Sequence, residues 1–236
     1  MPRNLADTDP THSAIDFSTD IMIRLPELAS LIMQTISQWS HIESNLLATL
    51  AHFTKGSEAT AAVKELAALD GHGRRKKQLL KKAEGEMSGQ SLNLLKDLFK
   101  AIIPYGFIRG RFAHHIWGVC NALPDEFILI APKERWLVIG GVKDYWRSGK
   151  FSEGGLADMP RLDHTLIEVW SRDELSTLIS ELGKIIELTI NLNQYFDPLA
   201  PKRHLNFINL SHNPLMQKAC EMRTGSPRPS YIPSSL

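Results

Sequence analysis

The chain has 236 residues, 43% of them apolar and 22% charged, which is ample for a real hydrophobic core. A formal charge of +1 excludes a global field that would draw it onto nucleic acid or membrane. Two cysteines far apart, Cys120 and Cys220, exclude a disulfide framework and a thiolate zinc site. The N-terminus lacks the apolar stretch of a signal peptide, and no apolar run approaches the roughly 20 residues needed to span a bilayer. A soluble cytoplasmic protein with no membrane association is the expectation.

Residues 1 to about 20 are polar, with Pro2 and Pro10, and read as a loose arm. Pro26 is well placed in a first helical turn. From there Leu28, Leu31, Ile32, Ile36, Trp39, Ile42, Leu46, Leu47, Leu50 and Phe53 recur at three- and four-residue steps, which predicts a long amphipathic helix closing near Lys55-Gly56. A second helical stretch from about Glu58 is interrupted at 70–73 and resumes through Arg74, Arg75, Lys76, Lys77, Lys81 and Lys82, breaking again at Gly85 to Gly89. That basic run reads as a solvated helix face rather than a nucleic-acid path, because no aromatic residues interleave with it.

A third helix is predicted through Leu92, Leu95, Leu98, Phe99, Ile102 and Ile103, and a fourth from Pro104 to Gly118. Residues 127–132 and 135–141 are short apolar runs separated by Lys133-Glu134 and predict a hairpin. A glycine-rich loop over 144–161 precedes a third strand at 164–170. Ser171 and Glu174 form a capping-box pattern that opens a long helix ending before Asp197-Pro198. The final forty residues, rich in proline and serine, read as extended or disordered. These elements predict a mainly α fold: a helical bundle over 21–196, a small antiparallel β insert at about 125–170, an N-terminal arm over 1–20 and a C-terminal tail over 197–236.

Chemistry concentrates in Arg109-Gly110-Arg111-Phe112-Ala113-His114-His115-Ile116-Trp117. Arginine can brace a phosphate with a planar fork of donors, and histidine can move a proton near neutral pH. Together they could cleave RNA without a metal, the histidine activating a ribose 2′-hydroxyl and the arginine stabilising charge on the phosphoryl oxygens. On a helix, positions 109 and 114 lie about 140° apart and 111 and 115 about 40° apart, so geometry alone favours Arg111 with His115.

The segment resembles the Arg-x4-6-His motif of the HEPN superfamily of helical bundles, in the variant Arg-Asn-x-x-Ala-His-Gly-x-Trp. Arg109 takes the arginine place, Ala113-His114 the Ala-His pair and Trp117 the tryptophan. Upstream, Trp39 and Glu43 followed by Leu46-Leu47 are similar to the family's first helix, W-x-x-x-E-x-x-L-L. Two positions depart: Gly110 replaces the usual polar residue, and His115 a frequent glycine. The resemblance covers about 25–118 and 171–196. It implies a HEPN-like bundle, possible RNA as substrate, Arg109 and His114 as the catalytic pair, and a homodimer whose motif helices face each other across a cleft. A toxin or defence role, with an antitoxin or other protein partner, is also implied. The alternative is a non-catalytic module of the same fold acting through a protein partner or a nucleotide.

Arg111, His115, Glu43 and Trp117 are expected in support. For Glu43, two readings stay open: pairing with Arg109 or Arg111, or a place on the rim of the apolar stripe. Trp117 reads as core packing before base stacking. His41, His52 and His72 show no metal-ligand spacing, and Gly140-Gly141 and Gly154-Gly155 do not precede a helix as a phosphate loop would. No metal or cofactor is expected.

Overall fold

The computed structural model describes residues 2–8, 14–17, 20–54, 57–87, 89–148 and 159–225. Among them the fold is mainly α with a small five-stranded antiparallel sheet. The chain divides into two compact units, Met1–Ile36 with Ile108–Ile179 and Ser37–Phe107 with Ser180–Leu236. No helix among the described residues is long and apolar enough to cross a membrane.

The first unit is built on the sheet and also holds two short helices, α1 (Leu5–Thr8) and α2 (Ile21–Arg24). Its strands are β1 (Arg3–Asn4), β2 (Ile15–Asp16), β3 (Ile116–Cys120), β4 (Leu123–Ile130) and β5 (Ile167–Trp170), in the spatial order β1-β5-β4-β3-β2. The centre is β4, whose residues Phe127 to Ile130 are all buried, so that stretch is continuously apolar rather than alternating. β3 pairs with it through Trp117 opposite Leu129, and β5 through Glu168 opposite Leu129 on the other side. One face gathers Leu5, Cys120, Ile128, Ile130, Ile167 and Val169 into a core cluster. An aromatic group is built from Phe112, Phe127 and Trp170, with ring centroids 4.8 Å apart for Phe112–Trp170 and 6.1 Å for Phe112–Phe127. Phe112 belongs to helix α6 (Gly89–His114), so this packing fixes the last turn of that helix in the unit.

The second unit is helical. It takes most of α3 (Pro26–Ala51) and α6, all of α4 (Ser57–Ala67) and α5 (His72–Glu86), and the later part of the long helix α8 (Arg172–Phe196). α9 (Arg203–His212) and α10 (Pro214–Thr224) complete it. Where α3 meets α8, a polar ladder is closed on itself. Asn45 donates to Thr189 Oγ1 at 2.8 Å, Asn193 donates to the Asn45 carbonyl at 3.0 Å, and Thr49 donates to Asn193 Oδ1. Thr49 and Thr189 are fully buried, so satisfied partners here fix the register of the two helices. Trp39, also buried, lies against Gly106 so closely that a Cβ there would sit 2.9 Å from its ring. That glycine is required by the tryptophan.

Several sequence expectations are corrected. Residues 135–141 are not a strand but part of α7 (Pro132–Arg147). Pro132 occupies the first turn with Glu134, and Arg147 the last, the charge order a helix dipole favours. A short apolar run does not by itself separate strand from helix. β4 pairs instead with β3, because α6 stops at His114 and the β-branched and aromatic residues from Ile116 onward enter the sheet. Trp117 is therefore on a strand.

Pro104 does not start a helix but lies inside α6, exposed, where the carbonyl it leaves without a donor can face water. The third strand begins at Ile167, after a single 3-10 turn at His164–Leu166. The predicted loop over 144–161 starts late, since α7 continues to Arg147; residues 149–158 lie outside the described residues. The first long helix ends at Ala51, and its expected stop at Lys55-Gly56 also lies outside them.

The N-terminal arm supplies both edge strands of the sheet and buries Leu5 in its core, a contribution its polar composition hides. The C-terminal segment holds two helices rather than an extended tail. Phe207 and Leu210, then Met216, Ala219 and Cys220, are buried at helical spacing. Pro214, which reads as a breaker, sits at a helix start capped by Asn213. Residues 226–236 of that tail lie outside the described residues. The Ser171–Glu174 capping box forms as the sequence predicts, with Ser171 N donating to Glu174 Oε2 at 2.9 Å and Glu174 N to Ser171 Oγ at 3.3 Å.

Candidate functional site

The end of α6, the residue after it and the start of β3 carry every candidate site residue except Glu43, which lies on α3. Ile108 and Phe112 are the buried positions of that helix end. Side chains one step to either side must then emerge around the helix, and the structure sorts them into two kinds.

Arg111 and His115 are one turn apart and share the neighbourhood of Glu168 on β5. Arg111 Nη1 is ion-paired to Glu168 Oε1, and Trp170 Nε1 donates to Glu168 Oε2 at 3.3 Å. Both ends of the carboxylate are thus occupied. His115 follows the helix end, its backbone N–H still bonded to the Arg111 carbonyl at 2.8 Å. Its ring is half-buried, and its Nδ1 is enclosed with no hydrogen-bond partner. Burial holds this imidazole below its ordinary value; Glu168 opposes the shift, and the Arg111 cation and His114 add to it. The neutral ring is favoured.

Arg109 and His114 are held differently. Arg109 is half-buried, its Nε enclosed without a hydrogen-bond partner, and no carboxylate among the described residues pairs with it. His114 is exposed on the final residue of α6, and Ala113 beside it is also exposed. Gly110 faces open space, so nothing polar stands next to Arg109 at that position. Arg111 and His114 both lie in the last turn, where cations interact favourably with the carbonyl end of the helix.

Trp117 packs as the sequence suggests. Its indole N–H donates to the Phe112 carbonyl at 3.1 Å and its ring lies 5.9 Å from that of Phe127. Glu43 is ion-paired with Arg75 at 3.5 Å within the helical unit. Arg111, one of the two arginines expected to meet Glu43, is the one taken by Glu168. The pair that helix geometry favours, Arg111 with His115, is the pair brought around one carboxylate.

Glu168, Trp170 and Arg75 are the residues that sequence reasoning missed. The signal for Glu168 was present: in Ile167-Glu168-Val169 a single acid interrupts apolar neighbours on a strand, and its side chain must leave the face that Ile167 and Val169 bury. No protein-family model, curated protein or solved structure matches this chain.

Proposed function

We propose that this chain is a HEPN-like, metal-independent endoribonuclease in which His114 moves the proton and Arg109 braces the phosphate. The observation that supports this reading is how the carboxylate is allotted. Glu168 is committed to Arg111, whereas Arg109 has no acidic partner among the described residues and His114 is open to solvent. An arginine already held by a carboxylate has its fork occupied; one without is free to grip a phosphate.

The chemistry then runs as one in-line displacement. The imidazole of His114 takes the proton of a ribose 2′-hydroxyl as that oxygen attacks the adjacent phosphorus. The bond from phosphorus to the 5′-oxygen breaks, and that oxygen leaves with a proton from a second acid or from water. The product carries a 2′,3′-cyclic phosphate. Because Arg109 and His114 project about 140° apart around one helix, a second copy of the chain would complete the cleft, the arginine of one protomer facing the histidine of its partner. A toxin or defence setting, with an antitoxin or other protein partner, belongs to the same reading.

A second reading is favoured by Gly110. With no polar side chain beside Arg109, the same surface would serve as a non-catalytic module that holds a protein partner or a nucleotide. One experiment separates the two. Purified protein is incubated with RNA in EDTA and the ends are analysed. A ribonuclease yields cyclic phosphate ends, loses them in His114→Ala, and loses about 100-fold or more of its rate in Arg109→Gln but little in Arg111→Gln. Absence of cleavage by the wild-type protein under all conditions leaves the binding module.

A further inference from the structure

Charge is unevenly spread along this chain. α5 carries six lysines and arginines against two glutamates, a net of +4 in 15 residues, within a chain whose total is +1. Everything outside that helix therefore sums to −3.

The structure divides the six cations evenly into two sets. Arg75 pairs with Glu43 and donates to the Leu69 carbonyl at 2.9 Å, Lys82 pairs with Glu65 at 3.4 Å, and Lys76 lies 5.7 Å from the centre of the Phe99 ring. These three are half-buried and hold the helix in place. Arg74, Lys77 and Lys81 are exposed and have no ion-pair partner among the described residues. Two acids of this unit are engaged elsewhere: Glu65 accepts from Gln78 as well as pairing with Lys82, and Glu84 is bound to Lys96 at 2.8 Å. Lys100 adds further positive charge close to Lys76, enough to help burial depress that ammonium's pKa.

Spacings of three and four residues put Arg74, Lys77 and Lys81 within about 60° of one another, along about 10 Å of helix. That is room for two or three successive backbone phosphates. The acid on this side of α5, Glu84, three residues beyond Lys81, is bound to Lys96, so these three cations have no acidic partner on their own helix face. The stripe also lacks what a membrane surface would need, since the large apolar side chains exposed elsewhere on the molecule include none from α5.

We propose that Arg74, Lys77 and Lys81 form a docking stripe for the phosphate backbone of RNA, gripping it without regard to sequence. The stripe rests on the reading of this chain as one that acts on RNA, and its residues belong to the helical unit, whereas Arg109 and His114 belong to the other.

The test uses the full chain with His114→Ala, so that cleavage does not interfere, and a fluorescein-labelled single-stranded RNA followed by anisotropy from 50 to 300 mM KCl. The stripe variant is Arg74→Gln/Lys77→Gln/Lys81→Gln. A charge-matched control is Lys133→Gln/Lys143→Gln/Lys184→Gln, three exposed lysines elsewhere. Losing three phosphate contacts should flatten the log–log salt dependence by about 2 and weaken binding about tenfold or more at 100 mM, with the control near wild type. Equal weakening in both variants, or none in the stripe variant, overturns the stripe. So does binding of phosphatidylserine vesicles through these residues with no binding of RNA. RNA bound through the stripe by a wild-type protein that never cuts it would sink the ribonuclease reading and leave the stripe standing.

Discussion

Arg111 on α6 and Trp170 on β5 hold the two oxygens of one carboxylate, that of Glu168, so the end of the helix and the strand are tied through a single side chain. Charge and hydrogen bonding at this point separate cleanly by substitution. Glu168→Gln keeps an acceptor for the indole and removes the ion pair; Arg111→Gln removes the cation and leaves the acid. The side chains are 30% and 23% exposed, so solvent screens the pair and each single change should cost about 1 kcal/mol. The double variant should cost less than the two summed, which urea unfolding of all four proteins would read as a coupling. Strict additivity would mean that the two groups do not interact in solution.

His115 gives stability a pH dependence of known sign. Burial holds its folded-state pKa below the ordinary value of about 6.5, so the unfolded chain takes up the proton first as pH falls. The stabilisation is whole above about pH 6.5 and is lost as pH drops through the folded value. Wild-type Tm should therefore fall more steeply between pH 7 and 5 than that of His115→Gln. Parallel curves would show that the imidazole is free to charge in place.

What the sequence made legible was whatever repeats along an element. Leu28 through Leu50 at helical steps, and Ser171 with Glu174 at a helix start, need only local chemistry, and both are found as read. What it hid depends on partners distant in the chain. Arg3–Asn4 and Ile15–Asp16 become strands only because β5 and β3 offer open edges far along the sequence. Trp136 to Gly141 has the composition of a strand, but β4 already has β3 and β5 on its two sides. The candidate site divides in the same way. The motif names Arg109 and His114, yet which arginine is committed depends on Glu168, 57 residues beyond Arg111.

The capping box at the head of α8 is reciprocal, each residue satisfying a backbone donor of the other. Ser171→Ala removes an acceptor for the Glu174 N–H and should cost about 1 kcal/mol; Ser171→Asp should recover most of it. Thermal unfolding of the three proteins checks the order. Equal stability of Ala and Asp at this position would mean that the helix end is held by packing instead.

Gly118 on β3 tests whether the N-terminal segment belongs to the sheet in solution. A Cβ there would lie 2.7 Å from Phe17 Cδ1 and 2.9 Å from Ile128 Cγ1. Ile128 is fully buried in the central strand and has little room to move, whereas Phe17 is half-buried beyond the short edge strand β2 and can yield. Gly118→Ala should therefore destabilise by about 1–3 kcal/mol, the usual range for overpacking. Phe17→Ala removes the closer of the two clashing groups, so adding it to Gly118→Ala should cost less than Phe17→Ala costs alone. Denaturant midpoints of the single and double variants measure the difference. Full additivity would place the Phe17 ring away from β3, and the edge strand that precedes it would lose its support.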